Sequence, residues 1–107
     1  MKITIIGSTQ YKQKFIDLKA SLESEGHKVR IPAFDDHPTL NELGVCLHNR
    51  ELIEWADEVR LIWDQRSIGT IFDFGMCFMA QKPLVIEYLE PKTFKNVMLK
   101  YEALFCR

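Results

Sequence analysis

"VRLIWDQRSIGTIFDFGMCFMA", residues 59–80, holds a complete strand, turn and helix in one stretch. Val59 to Trp63 is rich in β-branched and aromatic residues and reads as a short buried strand. Asp64 to Gly69 is turn-rich, and the apolar run from about Thr70 to Ala80 has the length of a helix. A strand that feeds a helix through a polar turn is half of a βαβ unit. The question is whether the flanking sequence repeats it.

It does. Lys2 to Ile6 is a second β-rich run, closed by Gly7-Ser8. Phe15, Leu18 and Leu22 follow at helical spacing, with Gly26 placed to stop the helix. Val29 and Ile31 form a strand that ends at Pro32. A polar loop, Ala33 to Thr39, leads into a helix carrying Leu43, Leu47, Ile53 and Ala56. After residue 80, Pro83 to Ile86 gives a fourth strand. A last helix from about Thr93 aligns Phe94, Val97, Met98, Tyr101, Leu104 and Phe105. That stripe is expected to be mostly core, with Phe94, Tyr101 and Phe105 partly serving a subunit contact. The pattern βαβαβαβα predicts an α/β, three-layer flavodoxin/Rossmann-like parallel sheet with helices on both faces. Right-handed crossovers favour strand order 2-1-3-4. Ligands then bind beyond the carboxyl ends of strands 1 and 3, where the order reverses.

With 107 residues, the chain is expected to form one domain, and 47% hydrophobic with 27% charged residues is ordinary globular composition. A net charge of −1 and no cluster of Lys and Arg exclude a nucleic-acid footprint. No apolar run approaches the ~20 residues of a membrane span, and no stretch reads as a signal peptide. Cys46, Cys77 and Cys106 are widely spaced, with no Cys-x-x-Cys. They read as reduced thiols of a cytoplasmic protein, with neither a disulfide nor a zinc site.

Two segments meet at the predicted crevice. Gly7-Ser8-Thr9 can turn amides and hydroxyls toward a ligand phosphate or sugar, or can simply cap the first helix. It is not a Walker loop, since Gly-x-x-x-x-Gly-Lys is absent. In the second segment Ser67 offers a hydroxyl near a helix N-terminus, and Gly69 admits close backbone approach. Asp73 has three readings. A metal site lacks ligands beyond Asp64. A capping box, Thr70-x-x-Asp73, would turn the carboxylate back to the Thr70 amide. A nucleophile is favoured by Phe72, Phe74 and Trp63, which suggest a partly apolar crevice able to stack a flat base. A carboxylate near a helix N-terminus is expected to stay ionised, and attack at an anomeric carbon would form a covalent glycosyl-enzyme. His37 reads as a solvated loop residue and His48 as structural.

"IIGST" after strand 1, "GHKVRIP" at strand 2, "HNRELIEWADEVRLIWD" and "SIGTIFDFGMCFMAQKPL" together resemble the nucleoside 2-deoxyribosyltransferase family, including its deoxynucleoside 5′-monophosphate N-glycosidase branch. The resemblance spans nearly the whole chain. It implies that Asp73 stands where the family has its nucleophilic glutamate and that Ser67 stands where the monophosphate-specific branch contacts phosphate. It places Gly7 and Ser8 in the first ligand-binding turn. Asn49, eight residues ahead of Asp57, falls where the family has a substrate-orienting aspartate. The residues expected at the site are thus Asp73 and Asn49 for chemistry. Gly7, Ser8, Thr9, Trp63, Asp64, Ser67, Gly69 and Thr70 are expected to hold the substrate. The partner implied is a small nucleoside or nucleotide, with no cofactor, no metal, no nucleic acid and no membrane, and with assembly into a dimer or larger homo-oligomer. Two other readings stay open: a non-catalytic nucleotide-binding or sensor module, and an NAD glycohydrolase like the TIR-type domains.

Overall fold

The computed structural model describes residues 1–32, 41–91 and 94–105, so the loop holding His37, and Cys106, lie outside the described residues. Four strands form one sheet: β1 (Lys2–Gly7), β2 (Lys28–Arg30), β3 (Glu58–Trp63) and β4 (Leu84–Leu89). All neighbouring pairs are parallel and the order is β2-β1-β3-β4, as the alternation predicts. The helices are α1 (Lys12–Ser24), preceded by a 3-10 turn at Thr9–Tyr11, then α2 (Glu42–Trp55), α3 (Ile68–Met79) and α4 (Phe94–Ala103).

The side-chain alternation of β1 divides the core in two. Ile3 and Ile5 pack with Phe15 and Leu22 of α1, Val29 and Ile62 on one face. Ile6 packs with Ile53 of α2, Val59, Leu61 and Cys77 of α3 on the other. The result is three layers, with α1 on one face and α2 and α3 on the opposite one. Helix α1 ends as expected: Gly26 adopts φ +94°, and the His27 amide returns to the Leu22 carbonyl at 3.2 Å. Lys82 ties the base of α2 to the sheet through its Nζ, which donates to the Ala56 carbonyl at 2.7 Å.

Three local expectations are corrected. In α2 the buried line runs Asn49, Leu52 and Ile53, while Leu43 and Leu47 are exposed. The helix presents to the sheet the face that contains its asparagine. Helix α3 begins at Ile68, two residues ahead of the expected start, because Asp64 closes the preceding turn early. The α4 stripe is not core: Val97, Met98, Tyr101 and Leu104 are each more than half exposed. The α1-side surface of β3 and β4 carries Glu58, Arg60 and Glu87, joined as ion pairs, so a following helix would have to pack on charged groups. β4 runs on to Leu89, and the register shifts between Leu61 and Ile62 so that Glu87 is an extra residue in the ladder.

Gly7 fixes how closely β1 passes β3. A Cβ there would lie 1.7 Å from the Ile62 carbonyl oxygen, at a φ of +157°. Gly7→Ala is expected to lower stability by about 3 kcal/mol or more, since backbone and not a flexible side chain must yield. Urea denaturation of the purified variant checks this.

Candidate functional site

The carboxyl ends of β1, β3 and β4 bring Ser8, Asp64 and Glu90 to one edge of the sheet. Ser8 is 2% exposed and Asp64 9%. The Ser8 hydroxyl donates to Asp64 Oδ1 at 2.8 Å, and the Asp64 amide donates back to Ser8 Oγ at 3.1 Å. The same Oδ1 accepts from the amides of Arg66 (2.9 Å) and Ser67 (2.8 Å). Burial alone would push this carboxyl up. The two amides and the hydroxyl outweigh it, so the acid is held below the ordinary carboxylate range. Ser8 therefore does not cap a helix; its hydroxyl crosses to the neighbouring strand. Trp63 joins the same assembly, its Nε1 donating to the Ser67 carbonyl at 3.2 Å.

Of the other residues expected here, Thr9 is exposed on the 3-10 turn and Gly69 is exposed on α3, where a Cβ would meet nothing within 4 Å. Ser67 takes the N-cap position of α3, yet its side chain makes no capping bond. Thr70 is 2% exposed and its hydroxyl has no partner among the described residues. It sits at the base of a groove of roughly 230 Å³ lined by Leu61, Trp63, Ile71, Phe74 and Ile86.

Asp73 and Asn49 form a second cluster, between α2 and α3. Asn49 Nδ2 donates to Asp73 Oδ2 over a long 3.3 Å. The capping-box reading is overturned: Thr70 lies inside the first turn of α3, and Asp73 faces another helix instead of its own amides. Asp73 stands five residues past Ile68, ~7.5 Å along the axis, beyond the reach of the N-terminal dipole. Burial raises its pKa to about 6, against a smaller opposing effect of the Asn49 bond. The expectation that the helix terminus keeps it firmly ionised is thus reversed in direction, although most of it is charged at neutral pH. Phe72 and Phe74 do not enclose it. Each is rotated ~100° around the helix from Asp73, and they are 54% and 42% exposed.

The Asn49 Oδ1 is buried without a partner among the described residues, so the pair is half satisfied while the acid is ionised. A protonated Asp73 can donate to that oxygen, which favours the neutral form in the same direction as burial does. Cys77, one turn further, is pushed up to about 11, first by burial and then by the charge of Asp73, and is no nucleophile.

One part of the crevice rim escapes the sequence reading. The Tyr11 and Tyr88 hydroxyls both donate to Glu90, with Tyr11 at 2.9 Å. The bond to Glu90, followed by burial, raises the Tyr88 pKa to about 12. Gln65, in a left-handed conformation (φ 62°), donates to the Glu90 carbonyl at 2.7 Å. The available signal was topological: Glu90 immediately follows the last residue of β4, at the carboxyl edge of the sheet. Among the described residues no group of three or more His, Cys, Asp or Glu side chains is placed to hold a metal, and no helix is long and apolar enough to cross a membrane. No protein-family model matches the chain, and no curated protein matches it.

A raised pKa means that the folded state binds a proton the unfolded chain releases, so stability falls as pH rises from about 4 to about 6. Above that window the full penalty applies, on the order of 2 kcal/mol. Asp73→Asn removes the charge and supplies an amide to Asn49 Oδ1. It is expected to melt several degrees above wild type near pH 8, with the gap closing near pH 4. Thermal unfolding at the two pH values measures it.

Proposed function

We propose that the chain cleaves or transfers the N-glycosidic bond of a nucleoside or deoxynucleoside 5′-monophosphate, with Asp73 as nucleophile. The observation that carries this reading is the Asp73–Asn49 pair: a buried carboxyl between α2 and α3, bonded to one long-range amide and to none of its own helix's. A carboxylate kept for folding would gain more from local amides, as Asp64 does. The resemblance at "SIGTIFDFGMCFMAQKPL" points to the same residue.

In this reading Asp73 attacks C1′ of the sugar. The C1′–N bond breaks as the carboxylate–C1′ bond forms, and its electron pair leaves with the base, which takes up a proton. Water then resolves the glycosyl ester in a hydrolase, or a second base in a transferase. Asn49 orients the carboxylate. The Ser67 hydroxyl and the first amides of α3 face the 5′-phosphate, where the helix terminus favours an anion. Ser8 and Asp64 act by fixing the turn that carries Ser67, so their role is positioning. Gly7, Thr9, Gly69 and Thr70 border the sugar, and Trp63 borders the base.

A second reading, a nucleotide-binding module without chemistry, is favoured by one observation: Asp73 is only 7% exposed. The experiment separates the two. Wild-type protein incubated with a panel of nucleosides and deoxynucleoside 5′-monophosphates is expected to release free base, followed by chromatography. The rate rises with pH through about 6 as Asp73 ionises. Asp73→Asn and Asp73→Ala are expected to lose ~10³-fold or more, while Asp73→Glu, which advances the carboxyl by ~1 Å, retains turnover. Undiminished turnover in Asp73→Asn sinks the nucleophile. Nucleotide binding without base release selects the second reading.

A further inference from the structure

Helix α3 is apolar on the side that faces away from the sheet as well as on the side that faces it. Its twelve residues hold a single charge, Asp73, and that residue points inward. At 100° per residue, Ile68, Ile71, Phe72, Phe78 and Met79 fall on one continuous outward arc, with Gly75 at its middle. No polar side chain interrupts the arc. The five large side chains are 54–84% exposed. Counting ~200 Å² for a large side chain, they present on the order of 700 Å² of apolar surface. That is close to the ~800 Å² per partner of a standard protein interface, and an apolar patch of this size is more than an isolated chain ordinarily leaves in water.

We propose that this outward face of α3, centred on Gly75, is the contact between two copies of the chain, with α3 crossing its symmetry mate at Gly75. The arrangement deepens the expectation of a homo-oligomer by naming the face, and it does not depend on the glycosidic reading. Gly75 is exposed, and a Cβ built on it meets nothing within 4 Å, so nothing inside the subunit requires a glycine there. In mid-helix a glycine is a poor helix former. What its missing side chain provides is a hollow ringed by Ile71 and Phe72 one turn before and by Phe78 and Met79 one turn after. Two such helices crossing on a two-fold axis place hollow against hollow and interleave the four flanking side chains. A membrane surface is the poorer occupant, because α3 carries no Lys or Arg to meet lipid headgroups.

Sedimentation over a concentration series, with far-UV circular dichroism of each variant, tests the contact. Wild type is expected at twice the 12.6 kDa chain mass. Gly75→Leu fills the hollow and strengthens the helix. It is expected to keep the fold and to weaken self-association by about 30-fold or more. Phe78→Glu, altering a side chain that is 77% exposed, gives the same result by a route that leaves Gly75 intact. A monomeric wild type overturns the proposal, as does a wild type that pellets with lipid vesicles instead of pairing. So does a dimer whose affinity is unchanged in folded Gly75→Leu and Phe78→Glu.

Discussion

The reciprocal bonds between Ser8 and Asp64 join the ends of the two central strands, and the turn that leads into α3 is built on them. Gly7 lets β1 run against Ile62 at a separation no side chain permits. Ser8 then lands beside Asp64, where each completes the other's hydrogen bonding with little exposure to solvent. The carboxylate also gathers the amides of Arg66 and Ser67, which sets the residue at which α3 begins. One buried acid therefore decides both how the sheet closes at its switch point and where the helix carrying Asp73 starts.

The two acids on this side of the molecule show how differently one functional group behaves when its partners differ. Asp64 accepts three close hydrogen bonds from neighbouring donors and stays charged. Asp73, one helix turn deeper than Thr70, has one long bond and is easier to protonate. The first is held as structure. The second is disfavoured as a charge by its burial, which its single long bond only partly offsets.

The alternation of strand and helix made the sheet order legible, because parallel neighbours demand long crossovers and those crossovers have one hand. It also brought Ser8 and Asp64 together at the carboxyl ends of β1 and β3. What stayed hidden followed from side-chain geometry that spacing does not encode. "Ser67-Ile68-Gly69" reads as turn, yet the Asp64 carboxylate satisfies the amides that would otherwise demand a later cap. Phe72 and Phe74 look like walls around Asp73 in one dimension, but helical rotation carries both away. The spacing of Leu43 and Leu47 marked a helix but could not show that α2 turns Asn49 inward, since that burial depends on a partner from α3. The α4 stripe was misread because its seat on β3 and β4 is filled by Glu58, Arg60 and Glu87.

The register shift in β4 allows two consecutive residues to share a side. Glu87 reaches Arg60, and Tyr88, directly after it, stands opposite Ile62 on the same surface. Regular pleating would have sent one of them to the far layer. The additional residue thus works as a phase adjuster: it lets the strand carry an ion pair upstream and still deliver Tyr88 and Glu90 to the rim. A chain shortened by Glu87 alone would keep the tyrosine in step, whereas an insertion or loss after Tyr88 would uncouple the rim from the sheet that supports it.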